Sequence, residues 1–220
     1  MTSKRSLRRS LLCAVATVAI ATIPAQGQNG TLEKAAAAAR AMHTARGTFR
    51  QTVQNSLTGG TATSRGTFAQ EQPNKLSITF AEPAGDRIVS DGRVFWLYLP
   101  SSLPGEVVQR SVSSAPLPFD LAGQFLKDPS RYAVTAAGTR TVQGHSAHGF
   151  LLVPKAGTSS AFTRATVWVD DDDSFIRAFT VADESGVTRE LELLTLEVNV
   201  PIDPSTFVFT PPPGVRTIKQ

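Results

Sequence analysis

The sequence has little of several residue types on which common functions depend. Its 220 residues include one cysteine, Cys13, and aromatic residues make up 7% of the chain. A single thiol can form neither an intramolecular disulfide nor a zinc site built on several cysteines. No glycine-rich phosphate loop follows a predicted strand, and the G-x-S-x-G motif of a serine nucleophile does not occur. The sequence therefore shows no local mark of catalysis, although spacing does not exclude a Ser-His-Asp triad, and we expect no cofactor.

The body of the protein also lacks an excess of either charge. The chain has 22 Lys and Arg residues against 18 Asp and Glu residues, a formal net charge of +4. The first 27 residues contain no acidic residue but four basic ones, Lys4, Arg5, Arg8 and Arg9, so the rest of the chain carries 18 charges of each sign. A nucleic-acid backbone is bound by clustered, excess Lys and Arg, and we expect no nucleic-acid partner.

No apolar run is long enough to span a bilayer comfortably. The apolar run at residues 11–23 follows the basic start and precedes small residues, which is the pattern of a secretory signal peptide. We expect residues 1–27 to be removed, with Ala25 and Gly27 as the small residues before the cut; cleavage after Ala25 is the alternative. Cys13 lies between Leu12 and ten apolar or small residues, so we expect it to be discarded with the leader rather than lipidated.

The mature chain, residues 28–220, is expected to form one domain that is mainly β. Residues 32–45 favour a helix, with Thr31 as N-cap and Gly47 just past the end. From Phe49 onward apolar and polar residues alternate, which is typical of strands with one apolar face. Asp91-Gly92 is a favoured two-residue hairpin turn. We expect ten to eleven antiparallel strands.

Two further segments complete the predicted fold. Residues 116–129, bounded by prolines, predict one or two short helices across the sheet, and the alternation of Phe207 and Phe209 predicts a last short strand. So little helix cannot cover the apolar face of so large a sheet. Either the sheet fills its own interior with side chains, or it leaves an apolar cavity under thin helices.

The histidines and the acidic run do not predict a metal site. His145 and His148 have no cysteine nearby and no carboxylate between Asp128 and Asp170, and we expect them to be exposed turn residues. Residues 170–173 are all aspartate, but the glycine and glutamate of a calcium-binding loop are missing at their places. A solvated hairpin turn is the better interpretation.

Several short motifs together resemble the LolA family of periplasmic lipoprotein carriers. Residues 88–92 (IVSDG), followed by Phe95-Trp96-Leu97-Tyr98 and Pro100, resemble the family's VSDG hairpin, and residues 207–215 resemble its C-terminal F-x-F-T-P-P segment. Leu117-Pro118-Phe119 resembles the start of the family's lid. Pro73-Asn74 and Val153-Pro154-Lys155 resemble two further strand ends, so the likeness runs from the first helix to Val215.

The resemblance implies an incomplete antiparallel β-barrel whose apolar inner face is covered by short helices. It also implies that the protein is a periplasmic chaperone, expected to be a monomer, that carries acylated lipoproteins to the outer membrane. An ATP-driven complex of the inner membrane would load it and a lipoprotein receptor of the outer membrane would unload it. External energy is needed because each CH₂ that leaves a bilayer costs about 0.8 kcal/mol.

The resemblance and the strand alternation together predict a lipid-binding surface. The resemblance implies cavity-lining or lid roles for Leu76, Ile78, Phe80, Phe119 and Leu121. Alternation and burial add three aromatic residues, namely Trp96, Tyr98 and Phe125. Gln72 stands where the family often has an arginine that joins barrel and lid, so we expect a weaker gate there.

Three other functions remain open at this point. The same scaffold could carry another lipid, such as a glycolipid, or sense mislocalised lipoprotein. A periplasmic hydrolase would need a nucleophile and a base that meet in the cavity. An interaction module would have a filled core and no cavity.

Overall fold

The protein is described by a computed structural model that covers residues 25–112, 123–126 and 128–220. Most of the expected signal peptide, residues 1–24, lies outside the described residues. So do Phe119 and Leu121, the two expected lid residues.

The first helix, α1 (Ala25–Ala41), begins before the expected N-cap and ends before Gly47. It ends early because the next strand, β1, already begins at Thr44 and extends to Asn55. The helix buries a face of small and apolar side chains against the sheet: Leu32, Ala35, Ala36 and Ala39. Small side chains let the helix backbone approach the strands closely, but each of them buries little apolar area.

Twelve strands form one sheet in the order β12-β6-β5-β4-β3-β2-β1-β11-β10-β9-β8-β7. The strands after β1 are β2 (Thr61–Glu71), β3 (Lys75–Glu82), β4 (Arg87–Asp91), β5 (Val94–Tyr98), β6 (Glu106–Ser111), β7 (Tyr132–Val142), β8 (His145–Pro154), β9 (Arg164–Asp170), β10 (Ile176–Ala182), β11 (Val187–Val198) and β12 (Arg216–Lys219). The sheet is not closed, since β7 and β12 form its two edges. This confirms the mainly β, incomplete-barrel fold, with one strand more than the upper expected number.

Two strand glycines lie where the sheet bends. A Cβ on Gly47 would stand 2.1 Å from the carbonyl oxygen of Thr195, and one on Gly66 would stand 2.2 Å from that of Thr79. The β1–β11 register shifts just after Gly47, and the β2–β3 register shifts at Gly66. Only glycine allows the neighbouring backbones to approach this closely, and such bulges bend a strand and increase its twist.

The expected hairpin between β4 and β5 is present, but Gly92 and Arg93 occupy its turn rather than Asp91 and Gly92, since Ser90 pairs with Phe95. The Asp91 carboxylate accepts hydrogen bonds from the backbone N–H groups of Arg93 and Val94, both at 2.8 Å. Gly92 has φ +96°, a conformation that glycine adopts without steric cost. Local turn chemistry therefore sets the register of this strand pair.

The C-terminal tail departs from the expected strand at Phe207–Phe209. Residues Pro204–Phe207 form a 3₁₀-helix, because Asp203 caps it by accepting a hydrogen bond from the backbone N–H of Ser205 and proline occupies the first turn. The final strand comes later, after Gly214, where β12 adds to β6 in parallel. Both tail phenylalanines pack against the sheet rather than extending it, Phe207 beside Lys75 and Phe209 beside Trp96 and Tyr98.

The predicted helical segment at residues 116–129 is described in part. A one-turn helix, α2 (Gly123–Leu126), is followed by a 3₁₀-helix at Pro129–Arg131. Phe125 and Leu126 of α2 are buried in the same cluster as α1. The inner face of the sheet is defined here as the face that α1 and α2 cover, and the outer face as the opposite one.

Candidate functional site

The inner face is built from rows of paired residues on neighbouring strands. Antiparallel partners point to the same side of a sheet, so one paired row places a set of side chains together on the inner face. One such row on the inner face runs from β1 to β6 through Ala45, Gln70, Leu76, Ser90, Phe95 and Arg110. The next row contains Phe68, Ile78, Ile88 and Leu97. The inner face is mostly apolar. Its polar side chains are found in the row nearest the end of α1 and also farther along β1 and β2, where Gln51 pairs with Ser64.

Four of the predicted lipid-binding residues come together in this inner cluster. Leu76 and Ile78 are buried, and Phe80 packs partly exposed at the margin of the cluster. The Phe80 ring meets Phe49 edge to face, with the ring centres 5.6 Å apart. Phe125 is buried in α2, where its ring centre lies 5.2 Å from that of Phe179. Strands from both halves of the sheet thus meet below the helices.

Trp96 and Tyr98 do not join that cluster. Their neighbours Phe95 and Leu97 occupy the inner face, so alternation places Trp96 and Tyr98 on the outer face. There, each ring centre lies 5.7 Å from that of Phe209 in the C-terminal tail. The expected placement of the pair in the cavity lining was wrong because a run of five apolar residues gives no polar positions to distinguish its two faces.

An apolar cleft lies under α1, and Ile78 does not line it. Its volume is about 20 Å³, which holds about one water-sized sphere and no acyl chain. The cleft is lined by Ala35, Ala39, Met42, Ala45, Leu126, Phe175, Ile176, Leu193 and Leu196. The lining therefore comes from α1, α2, β1, β10 and β11. The alternating leucines of β11 carried a signal for this region that the sequence analysis did not use.

Gln72 lies beside the C-terminal end of α1 and contacts it. Its side-chain NH₂ donates a hydrogen bond to the carbonyl oxygen of Ala39 at 3.3 Å. Its backbone N–H donates to the carbonyl oxygen of His43 at 2.9 Å. A second amide acts there too. Asn199 donates to Ala41 O at 3.3 Å and accepts from the His43 N–H at 2.8 Å. Two neutral amides thus satisfy carbonyl groups that a helix end leaves without partners.

The acidic run after β9 is more than a solvated turn. Asp170 is 1% exposed and accepts a hydrogen bond from Arg177 Nε at 2.7 Å, while His145 Nδ1 lies 2.8 Å from the same carboxylate oxygen. Burial alone would raise the pKa of Asp170, but hydrogen bonds from the Asp172 N–H and Arg177 outweigh it, so the pKa is lowered. This buried ion pair, which the sequence analysis missed, holds the β9–β10 turn.

His148 of β8 pairs with Asp171. Hydrogen bonds from His148 and from the Ser146 hydroxyl lower the pKa of the Asp171 carboxyl. The described residues contain no group of three His, Cys, Asp or Glu side chains placed to hold a metal ion. Nor does any helix in the described ranges have the length and apolar character needed to cross a membrane.

Comparison with known proteins places most of the chain in a family. Residues 40–210 match the family described as outer membrane lipoprotein carrier protein LolA. The chain belongs to this LolA family. The match covers β1 to β11, the helix α2 and the tail that packs on the outer face.

Individual relatives of this LolA-family chain are distant. The outer-membrane lipoprotein carrier protein of Albidiferax ferrireducens is 26% identical, over 93% of this chain and 98% of the relative. That of Pseudoalteromonas translucida is also 26% identical, over 69% of each chain. Among solved structures, an uncharacterized conserved protein from Thermus thermophilus superposes with a TM-score of 0.52 at 13% identity, covering 89% of this chain and all of the other. That likeness supports the fold alone.

Proposed function

We propose that this protein is a periplasmic chaperone that binds the acyl chains of lipoproteins released from the inner membrane and carries them to the outer membrane. Membership of the LolA carrier family is the observation that carries this proposal. The relatives from A. ferrireducens and P. translucida are named as outer-membrane lipoprotein carrier proteins. The protein is proposed to act without catalysis, as a single domain after removal of residues 1–27.

The inner face of the sheet is the proposed binding surface for the acyl chains. It is apolar and lies under an α-helix whose buried side chains are mostly alanine. A helix held by small side chains gives up little buried area when it moves, so it is a covering that a large apolar ligand can displace. The cleft of about 20 Å³ under α1 is the proposed point where opening starts.

Loading and release follow from the energy of acyl chains in water. Each CH₂ removed from a bilayer costs about 0.8 kcal/mol, so a soluble carrier cannot extract lipoproteins unaided. We therefore include an ATP-driven lipoprotein-releasing complex in the inner membrane and a lipoprotein receptor in the outer membrane as partners. The helix must close again over the inner face after release, which limits the net affinity for the acyl chains.

Mass spectrometry of the protein purified from its own periplasm tests this proposal. The expected result is a population that carries peptides with acylated N-terminal cysteines. Co-purification of a glycolipid without acylated peptide would instead indicate a carrier of another lipid on the same scaffold. Intact-mass measurement of the same sample tests the expected start at Gln28; a retained leader or an acyl group on Cys13 would contradict the soluble-carrier proposal.

A further inference from the structure

Gln70 is a polar side chain buried in the apolar inner face. It lies on β2 between Ala45 of β1 and Leu76 of β3, and all three share one paired row. Its exposed fraction is 6%. Ala45 also lines the cleft under α1, so Gln70 stands directly beside the point where that cleft reaches the sheet.

The side-chain oxygen of Gln70 has no hydrogen-bond donor among the residues that the structure describes. A buried acceptor without a partner costs free energy, and native proteins contain few of them. Ser90 of the same row shows the usual arrangement. Its hydroxyl donates to the carbonyl oxygen of Asn74 at 2.7 Å and accepts from the Gly92 N–H at 3.2 Å. Ser90 is thus accounted for by the fold, and Gln70 is not.

The unpaired acceptor calls for a ligand that is mostly apolar and carries a hydrogen-bond donor. The acylated end of a lipoprotein has this composition, because the N-acyl group of its terminal cysteine is joined through an amide, and the next peptide bond follows within one residue. Both groups carry an N–H. Ester-linked acyl chains carry oxygen acceptors only. A glutamine oxygen can therefore distinguish the amide-linked part of a lipoprotein from lipids joined by esters alone.

We propose that Gln70 is the binding residue for the amide N–H groups at the acylated end of the cargo lipoprotein. The side-chain oxygen accepts the N–H hydrogen bond when α1 lifts from the inner face. This assignment rests on the proposed function, since it requires acyl chains on that face. It makes Gln70 the residue that selects lipoprotein over ester lipids of equal chain length.

The test compares two synthetic ligands on the mature protein. One is a tripalmitoylated cysteinyl peptide, and the other is its analogue in which esters replace the N-acyl amide and the first peptide bond. Binding is measured by displacement of a fluorescent acyl probe from the wild type, Gln70→Met and Gln109→Met. Gln109 is the matched control, because it lies on the outer face opposite Trp96. Methionine keeps the length of the side chain and removes the amide.

The wild type should bind the amide ligand about tenfold more tightly than the ester analogue, which corresponds to about 1.4 kcal/mol. Gln70→Met should lose this preference and melt at the same or a higher temperature, since the unpaired acceptor at position 70 is removed. Gln109→Met should keep the preference. Equal binding of the two ligands by the wild type, or a preference that survives in folded Gln70→Met, would overturn the assignment.

Equal binding of the two ligands by the wild type overturns the assignment whether or not Gln70→Met folds. Binding of both ligands with no preference would leave the proposed carrier function standing and refute the role of Gln70. Binding of neither ligand would contradict the carrier function itself, and the role of Gln70 with it.

Discussion

Gln72 offers a graded test of how firmly α1 is closed over the inner face. Gln72→Ala removes one neutral, partly buried hydrogen bond to Ala39 O that is 3.3 Å long. Neutral hydrogen bonds contribute about 0.5–1.5 kcal/mol, and a bond this long belongs at about 0.5 kcal/mol. Gln72→Arg instead places a positive charge at a helix C-terminus, where favourable interaction with the helix dipole contributes about 0.3–1 kcal/mol.

These free energies convert directly into changes in ligand affinity. A ligand that binds only the open form loses affinity by the factor by which the closed form is stabilised. Gln72→Ala should therefore bind the tripalmitoylated peptide about twofold more tightly, and Gln72→Arg up to about fivefold more weakly, at about 1.4 kcal/mol per tenfold. Melting temperatures of the unliganded proteins should follow the opposite order, with the arginine variant highest.

The assay is equilibrium binding at matched folded fraction, followed by transfer from loaded carrier to acceptor membranes. Gln54→Ala and Gln54→Arg serve as controls, because Gln54 is an exposed residue of β1 away from α1. Transfer by Gln72→Ala should stay within about tenfold of the wild type. Complete loss of binding or transfer in Gln72→Ala, or wild-type affinity in Gln72→Arg, would refute the weak-gate account.

Four further outcomes follow from the packing. Ile78→Ala should lower the free energy of unfolding by about 2–5 kcal/mol in urea titrations, because Ile78 is fully buried; Ile78→Asp should unfold the protein, so it cannot report on uptake. Phe209→Ala should lower stability by about 1–3 kcal/mol and leave peptide affinity within twofold, because its ring contacts lie on the outer face. Arg177→Met should lower the free energy of unfolding by up to about 3–5 kcal/mol, because buried Asp170 loses its arginine partner and keeps only His145 and the Asp172 N–H. The pKa of Asp170 is lowered in the folded state, so its contribution to the free energy of unfolding is full above the unfolded pKa of about 3.9 and is lost as the pH falls through the folded pKa. The melting temperature should therefore drop on acidification, and it should drop less in Asp170→Asn.

Local patterns predicted the parts of the fold that local chemistry determines. Asp91 and Gly92 specify the turn between β4 and β5, and the alternation of Leu76, Ile78 and Phe80 with polar residues specifies which side faces inward. Helix propensity placed α1 correctly but not its bounds, since the start of β1 at Thr44 ends it. These features depend on residues that are neighbours in the chain.

The remaining features depend on contacts between distant segments. Val94–Tyr98 is apolar throughout, so only the packing of Phe209 against Trp96 and Tyr98 shows which side faces outward. The unpaired state of Gln70 cannot be read from sequence either, because it depends on which hydrogen-bond donors the described strands and helices around it supply. Asp170 and Arg177 lie seven residues apart, and their pairing follows from the bulge at Ile176–Ala178.

Photo-crosslinking from the two faces of the sheet tests the central claim most directly. Phe80 lies on the inner face and Tyr98 on the outer face, and both are partly buried aromatic residues, so each accepts a benzoyl-phenylalanine in turn. The two variants are irradiated with a tripalmitoylated peptide that carries radiolabelled acyl chains. Label attached through position 80 and not through position 98 is the predicted result. Label attached through position 98 with none at position 80 would contradict acyl-chain binding on the inner face.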